Sequence, residues 1–141
     1  MAEFGRTGTG CSCNDPEMEA LASAYQQADR FFLALLGPAG NLVGTAGVAP
    51  LEGAPLEQRV CELRKMYFTP EVRGLGLGRW LLEQCLAGAR RLGYRRVYLE
   101  TCEGMHAAIR LYQRNGFRRL DGPMGSTGHS GACNLYFAID L

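Results

Sequence analysis

With 141 residues, 15 basic against 14 acidic side chains and a formal net charge of +1, the chain is the size of one domain and carries no global field that would draw it to nucleic acid or a membrane surface. No apolar run approaches the roughly 20 residues of a membrane span, and the opening MAEFGRTGTG lacks the apolar core of a signal peptide, which predicts a cytoplasmic single domain over residues 1–141. No metal site is expected from the six cysteines. Cys11 and Cys13 form a C-x-C with no second pair beside it, and Cys61, Cys85 and Cys102 fall in apolar-periodic segments as small buried hydrophobes.

Residues 1–15, rich in Gly, Thr and Ser without periodicity, read as a flexible arm. Asp15 and Pro16 have the chemistry of an N-cap and first helical position, so a helix is expected over residues 16–28. Two apolar runs, 31–36 and 42–48, flank the turn residues GPAGN and predict an antiparallel hairpin. Residues 49–59 hold Pro50, Gly53 and Pro55 and read as a surface connection. A strand follows over 60–68. Simple alternation puts Glu62, Arg64, Met66 and Phe68 on one side and Cys61, Leu63, Lys65 and Tyr67 on the other, with charge on both faces arguing against burial on both.

After Thr69-Pro70-Glu71 comes the loop Arg73-Gly74-Leu75-Gly76-Leu77-Gly78, and then a helix whose apolar stripe is Leu77, Leu81, Leu82, Cys85, Leu86, Ala89 and Leu92, stopped by Gly93. A glycine-rich loop opening a helix presents unpaired N–H groups and the positive end of the helix dipole, so a phosphate-bearing ligand is expected there. Arg73 and Arg79 would add charge-assisted contacts. A strand over 96–100 should return parallel to 60–68. A second helix over 105–114 leads to a short strand at 117–120, and a polar loop over 122–131 precedes a last strand, 135–139, that closes the sheet.

The segment 73–78 fits the pattern R/Q-x-x-G-x-G/A. Leu111-Tyr112-Gln113-Arg114-Asn115-Gly116-Phe117 fits L-Y-x-x-x-G-F about 35 residues further on. Together, from about residue 30 onward, the chain resembles a GNAT-superfamily N-acetyltransferase. The resemblance implies an α/β fold, a mixed sheet flanked by helices whose central parallel pair splays around an acyl-coenzyme A cleft, here between 60–68 and 96–100. It implies acetyl-CoA as co-substrate and a primary amine of a small molecule or peptide as acceptor. The pyrophosphate would lie on Gly74, Leu75, Gly76, Leu77 and Gly78, the pantetheine arm along Met66 and Phe68, and Tyr112 would protonate the departing thiolate.

An alkylamine of pKa about 10.4 is protonated at neutral pH, so a general base is also expected. Glu62 is preferred because alternation gives it the face of Met66 and Phe68, with Glu100 as runner-up, and a backbone N–H near Met66 is expected to polarise the carbonyl. His129, in the loop GSTGHSG, is a candidate substrate contact or second base. Two departures from the family pattern stand out. Met105 occupies a position where many members have a coenzyme-contacting Asn, with His106 beside it. Few residues precede the hairpin, so the family's first strand is expected to be missing, which leaves a sheet edge that a homodimer would cover. Cys102 as an acyl-carrying nucleophile has no His neighbour in sequence. Two other readings stay open at this level: a non-catalytic acyl-CoA sensor or interaction module, and a Rossmann dinucleotide unit, which the order strand, glycine loop, helix and strand ending in Glu100 imitates.

Overall fold

The computed structural model describes residues 27–128 and 132–141. The expected arm, most of the first helix and His129 lie outside them. Strands β1 (Phe31–Leu36) and β2 (Leu42–Pro50) form the expected antiparallel hairpin, followed by β3 (Val60–Phe68), α1 (Leu77–Arg91), β4 (Arg96–Thr101), α2 (His106–Arg114), β5 (Arg118–Leu120) and β6 (Leu135–Asp140). They make one six-stranded sheet in the order β1-β2-β3-β4-β6-β5, in which only β3 and β4 run parallel. The last strand therefore inserts between β4 and β5 and does not close the sheet at an edge. The single parallel pair also separates this mixed sheet from the open parallel sheet of a dinucleotide-binding unit. No helix among the described residues is long and apolar enough to cross a membrane.

Alternation along the strands sorts side chains to two faces. Val97, Leu99, Leu135 and Phe137 join Cys61, Leu63, Ala46 and Val48 on the face covered by α1, which contributes Leu81, Leu82, Cys85, Leu86 and Ala89. Tyr98 and Val60 point the other way and pack with Leu51, Met124 and Tyr136. Both faces of the first half of β3 are therefore buried, contrary to the reading from its charges: residues 60–63 are all buried, and Glu62 is only 2% exposed. Its carboxylate is accommodated by the Nε of Arg64, which donates to Glu62 Oε2 at 2.6 Å. The connection 51–59 is likewise more than surface, since Leu51 is a core residue and its N–H donates to the Val60 carbonyl at 3.0 Å.

Alternation in β3 fails at one residue. Lys65 has φ of 57°, and the register against β2 shifts between Thr45 and Gly47, so that Thr45 faces Tyr67 while Gly47 faces Arg64. This is a β-bulge. The extra residue turns the strand by one side-chain step, and Met66 and Phe68 come to pack with the α1-side core. The Thr45 hydroxyl donates to the Lys65 carbonyl at 2.5 Å and holds the irregular residue in place.

Helix α1 is fixed at its C-terminal end by Arg59, itself in the left-handed region at φ 53°. Its Nη2 and Nε donate to the carbonyls of Leu92 and Gly93 at 2.6 and 3.0 Å, satisfying groups that a helix end leaves unpaired and placing a cation against the negative end of the dipole. On the buried face of the same helix, Gly88 lies against the ring of Phe31. A Cβ there would stand 2.5 Å from Phe31 Cζ. Replacing Gly88 with Val gains about 0.5 kcal/mol of helix propensity but overpacks the contact at about 1–3 kcal/mol. The substitution is therefore expected to lower the urea midpoint, and trimming the ring in a Gly88→Val/Phe31→Ala double variant should recover part of the loss.

Candidate active site

The pairing of β3 with β4 lasts three residues: Val60 with Arg96, Cys61 with Val97 and Glu62 with Tyr98. Beyond Glu62, β4 continues against β6 while β3 follows β2 through the bulge, so the two parallel strands part. The expected cleft between them is thus present, with Glu62 at its vertex.

On the α1 side a groove of about 740 Å³ runs from the open end of β3 past the glycine loop and along α2. Met66 and Phe68 line it from β3, Arg73, Gly74, Gly76, Gly78 and Arg79 from the loop and the first turn of α1, and Tyr112 from α2. These are eight of the residues that sequence reasoning singled out. Leu75, 67% exposed, in the loop and Leu77, the first residue of α1, do not line the groove.

The loop has the properties an anion requires. Gly74 and Gly76 both have φ of 79° with open space where a Cβ would project, a conformation that side chains other than glycine adopt at a cost. Gly76 is the N-cap of α1 and brings no capping side chain, and the first turn holds no acidic residue. The first-turn N–H groups of a 15-residue helix are therefore uncapped at the groove. Gly78 sits where a Cβ would lie 3.3 Å from Leu111 Cδ2, so its absence lets α2 approach α1. The phosphate-rich end of a CoA thioester fits this arrangement. The two loop arginines are already positioned by the chain: Arg73 donates from Nε and Nη2 to the Phe68 carbonyl at 3.0 and 2.7 Å, and Arg79 pairs with Glu83 at 3.0 Å on an exposed surface.

Tyr112 is buried, its ring 5.7 Å from that of Phe117, and its hydroxyl faces Met66 Sδ at 4.0 Å. Burial, followed by the nearby Cys85 and Cys133 thiols, pushes its phenol well above the ordinary range. It is a neutral donor at any working pH, aimed at a sulfur. Tyr112 is thus both a packed aromatic and a groove residue.

The carboxylates lie elsewhere. Because of the bulge, Glu62 does not share a face with Met66 and Phe68. It points to the side of Tyr98, so the premise that selected it as base from alternation is wrong, although its position at the vertex brings it to the parting of the strands from the opposite face. Glu100 is engaged on that same face, accepting from the Tyr98 hydroxyl at 2.7 Å and from the Thr127 hydroxyl at 2.8 Å. Arg96, a candidate partner of Glu100 by sequence, pairs instead with Asp140 at 2.7 Å. Met124 N–H donates to the Tyr98 hydroxyl and Ser126 N–H to the Glu52 carbonyl, so the loop after β5 is tied down over this second face.

Met105 lines the groove in place of the expected Asn, while His106 is exposed and does not. Cys102 is buried and outside the groove lining. Burial pushes the thiols of Cys61 and Cys85 up to about 12, which makes them poor nucleophiles. Sequence reasoning missed Ala107, Arg110 and Arg114 as groove residues. Their signal was available: they lie at helical spacing on the side of α2 that borders Leu111 and Tyr112.

Comparison with known proteins agrees with this geometry. The profile of the acetyltransferase (GNAT) family matches residues 6–117, which extends the likeness into the N-terminal stretch. The protein named uncharacterized N-acetyltransferase YjgM of Escherichia coli is 40% identical over 129 residues, covering 91% of this chain and 75% of that one. Among solved structures, an acetyltransferase of the GNAT family from Staphylococcus aureus superposes with a TM-score of 0.80 at 23% identity, covering 99% of this chain and 84% of the other. A phosphinothricin acetyltransferase from Sinorhizobium meliloti, solved in complex with acetyl-CoA, gives a TM-score of 0.73 at 20% identity, covering 99% and 80%. With strands that part beside a glycine-opened helix, and with a family match over most of its length, the chain belongs to the GNAT family of acetyl-CoA-dependent N-acetyltransferases.

Proposed function

We propose that the protein transfers an acetyl group directly from acetyl-CoA to the primary amine of a small molecule or peptide, with donor and acceptor meeting through the parting between β3 and β4. The observation that carries this reading is the placement of Tyr112 and Glu62 on opposite faces of the sheet beside the same opening. In this reading residues 74–78 hold the pyrophosphate on backbone N–H groups with Arg73 and Arg79 beside it, and the pantetheine arm lies against Met66 and Phe68. Acetyl-CoA supplies an acetyl group activated as a thioester.

The acceptor approaches from the Tyr98 face. An alkylammonium of pKa about 10.4 must lose a proton before it can attack, and Glu62, at the vertex, takes that proton directly or through a water molecule. Arg64 orients its carboxylate. Glu100 is less suited to the role because hydroxyls occupy both of its oxygens. The bulge at Lys65 takes backbone near Met66 out of the regular ladder, which leaves an N–H in that region as the donor to the acetyl carbonyl. On the groove side the neutral Tyr112 hydroxyl gives its proton to the departing thiolate. The outer strand of the described sheet, β1, pairs with a second copy in the same reading, and a monomer in sedimentation velocity at micromolar concentration would remove that part alone.

The direct test is an amine-panel screen that follows CoA release. Glu62→Gln is expected to lower kcat/KM by about 10²- to 10⁴-fold. Its residual rate should climb as pH rises and the free amine becomes more abundant, while CoA affinity stays within about twofold of the parent's. A Glu62→Gln enzyme with full activity at pH 7 would remove the base assignment.

Tyr112→Phe should slow turnover by about ten- to a hundredfold, because a thiolate of pKa about 8.5 leaves with little help. Since burial holds the phenol protonated, kcat of the parent should show no alkaline loss attributable to Tyr112 up to pH 10. An alkaline limb that disappears in Tyr112→Phe would contradict this.

A further inference from the structure

Two arginines on the α2 wall of the groove have no part in the chemistry above. Arg110 and Arg114 stand one helical turn apart, both exposed and both lining the groove. The groove's other cations are engaged by the chain, Arg73 on the Phe68 carbonyl and Arg79 on Glu83, whereas among the described residues no ion pair or side-chain hydrogen bond holds Arg110 or Arg114. No carboxylate lines the groove to balance them.

Like charges at this spacing repel and weaken a helix. Arg114 has a local reason to be there, since a cation in the last turn complements the helix dipole. Arg110, in the middle of a nine-residue helix, has none, and its guanidinium adds a second positive charge to a wall already positive. An anion arriving in the groove would relieve both.

The identity of that anion rests on the acetyl-CoA reading. With the thioester beside Tyr112 and Met66 and the pyrophosphate on residues 74–78, the adenosine end of CoA extends past the loop into the exposed part of the groove. It carries there a separate 3′-phosphomonoester. We propose that Arg110 and Arg114 form a second anion subsite that takes this 3′-phosphate and makes the enzyme select CoA over 3′-dephospho-CoA. A dianionic phosphomonoester presents several acceptor oxygens, and a pair of guanidiniums one turn apart can engage it with multiple charge-assisted hydrogen bonds.

The test is isothermal titration of the full chain with CoA and with 3′-dephospho-CoA, for the parent and for Arg110→Ala, Arg114→Ala and Arg110→Lys. The parent is expected to bind CoA about tenfold or more tighter than the dephospho form. Each alanine variant should raise the CoA dissociation constant by about tenfold and leave that for 3′-dephospho-CoA within about twofold, so that selectivity collapses. Arg110→Lys should keep part of it. The CoA preference of the parent should also shrink with added salt. Equal losses for both ligands would assign the arginines to the pyrophosphate and overturn the proposal, as would variants that bind both ligands like the parent. If the parent binds neither ligand, the acetyl-CoA reading itself fails. Thermal melts of the variants should match the parent, because both side chains are exposed.

Discussion

Everything at the active site depends on a backbone register that cannot be kept. Strand β3 is committed to β2 along its length and to β4 for three residues, and the bulge at Lys65 bends it away from β4 just as β4 turns its own hydrogen bonds to β6. A sheet that stayed regular would bury this region as ordinary core. By parting, it exposes strand backbone on the groove side and leaves a charged vertex at Glu62. The cost is a non-glycine residue in the left-handed region, of order 1–2 kcal/mol, offset in part by the Thr45 hydroxyl on the Lys65 carbonyl.

The bulge also explains why the sheet has two chemically distinct sides. Up to Arg64, odd-numbered side chains of β3 face α1 and even-numbered ones face Tyr98. After Lys65 the even-numbered Met66 and Phe68 face the α1 side. A soft, apolar channel with a phenol donor is thereby placed on one side, and a polar cluster of Glu62, Arg64, Tyr98, Glu100 and Thr127 on the other. The glycine loop completes the first side because α1 begins without a cap, leaving its dipole to act on whatever enters the groove.

Much of this was legible in the residues. Hairpin, strand, helix and loop boundaries follow from apolar periodicity and turn chemistry, and the pairing of the glycine loop with the Tyr112 segment identified the family and eight groove residues. What was not legible shares one physical character: it depends on contacts distant in sequence. Nothing local marks Lys65 as a bulge, since lysine has no preference for positive φ and the residue that holds it is Thr45, twenty positions earlier. Nothing local marks Glu62 as buried, since its burial comes with the pairing of β3 against β2 and β4. The insertion of β6 between β4 and β5, and the contact of Gly88 with Phe31, are likewise settled only by packing. Arg110 and Arg114 were within reach of helical spacing from Tyr112, but the L-Y-x-x-x-G-F pattern itself specifies neither of them.

The clamp of Arg59 on the far end of α1 acquires a second meaning once the groove is placed. A helix of 15 residues is a stiff rod of roughly 22 Å. Its uncapped start lines the groove, while the carbonyls of Leu92 and Gly93, just past its last residue, are gripped by a residue whose own carbonyl also receives the N–H groups of Arg95 and Arg96 at the entry to β4. Arg59 therefore couples the far end of that rod to the entry of β4, and over such a length a tilt of a few degrees would displace the glycine loop by about an ångström. A side chain at the end of the helix away from the groove thus has a bearing on the direction in which the glycine loop is held.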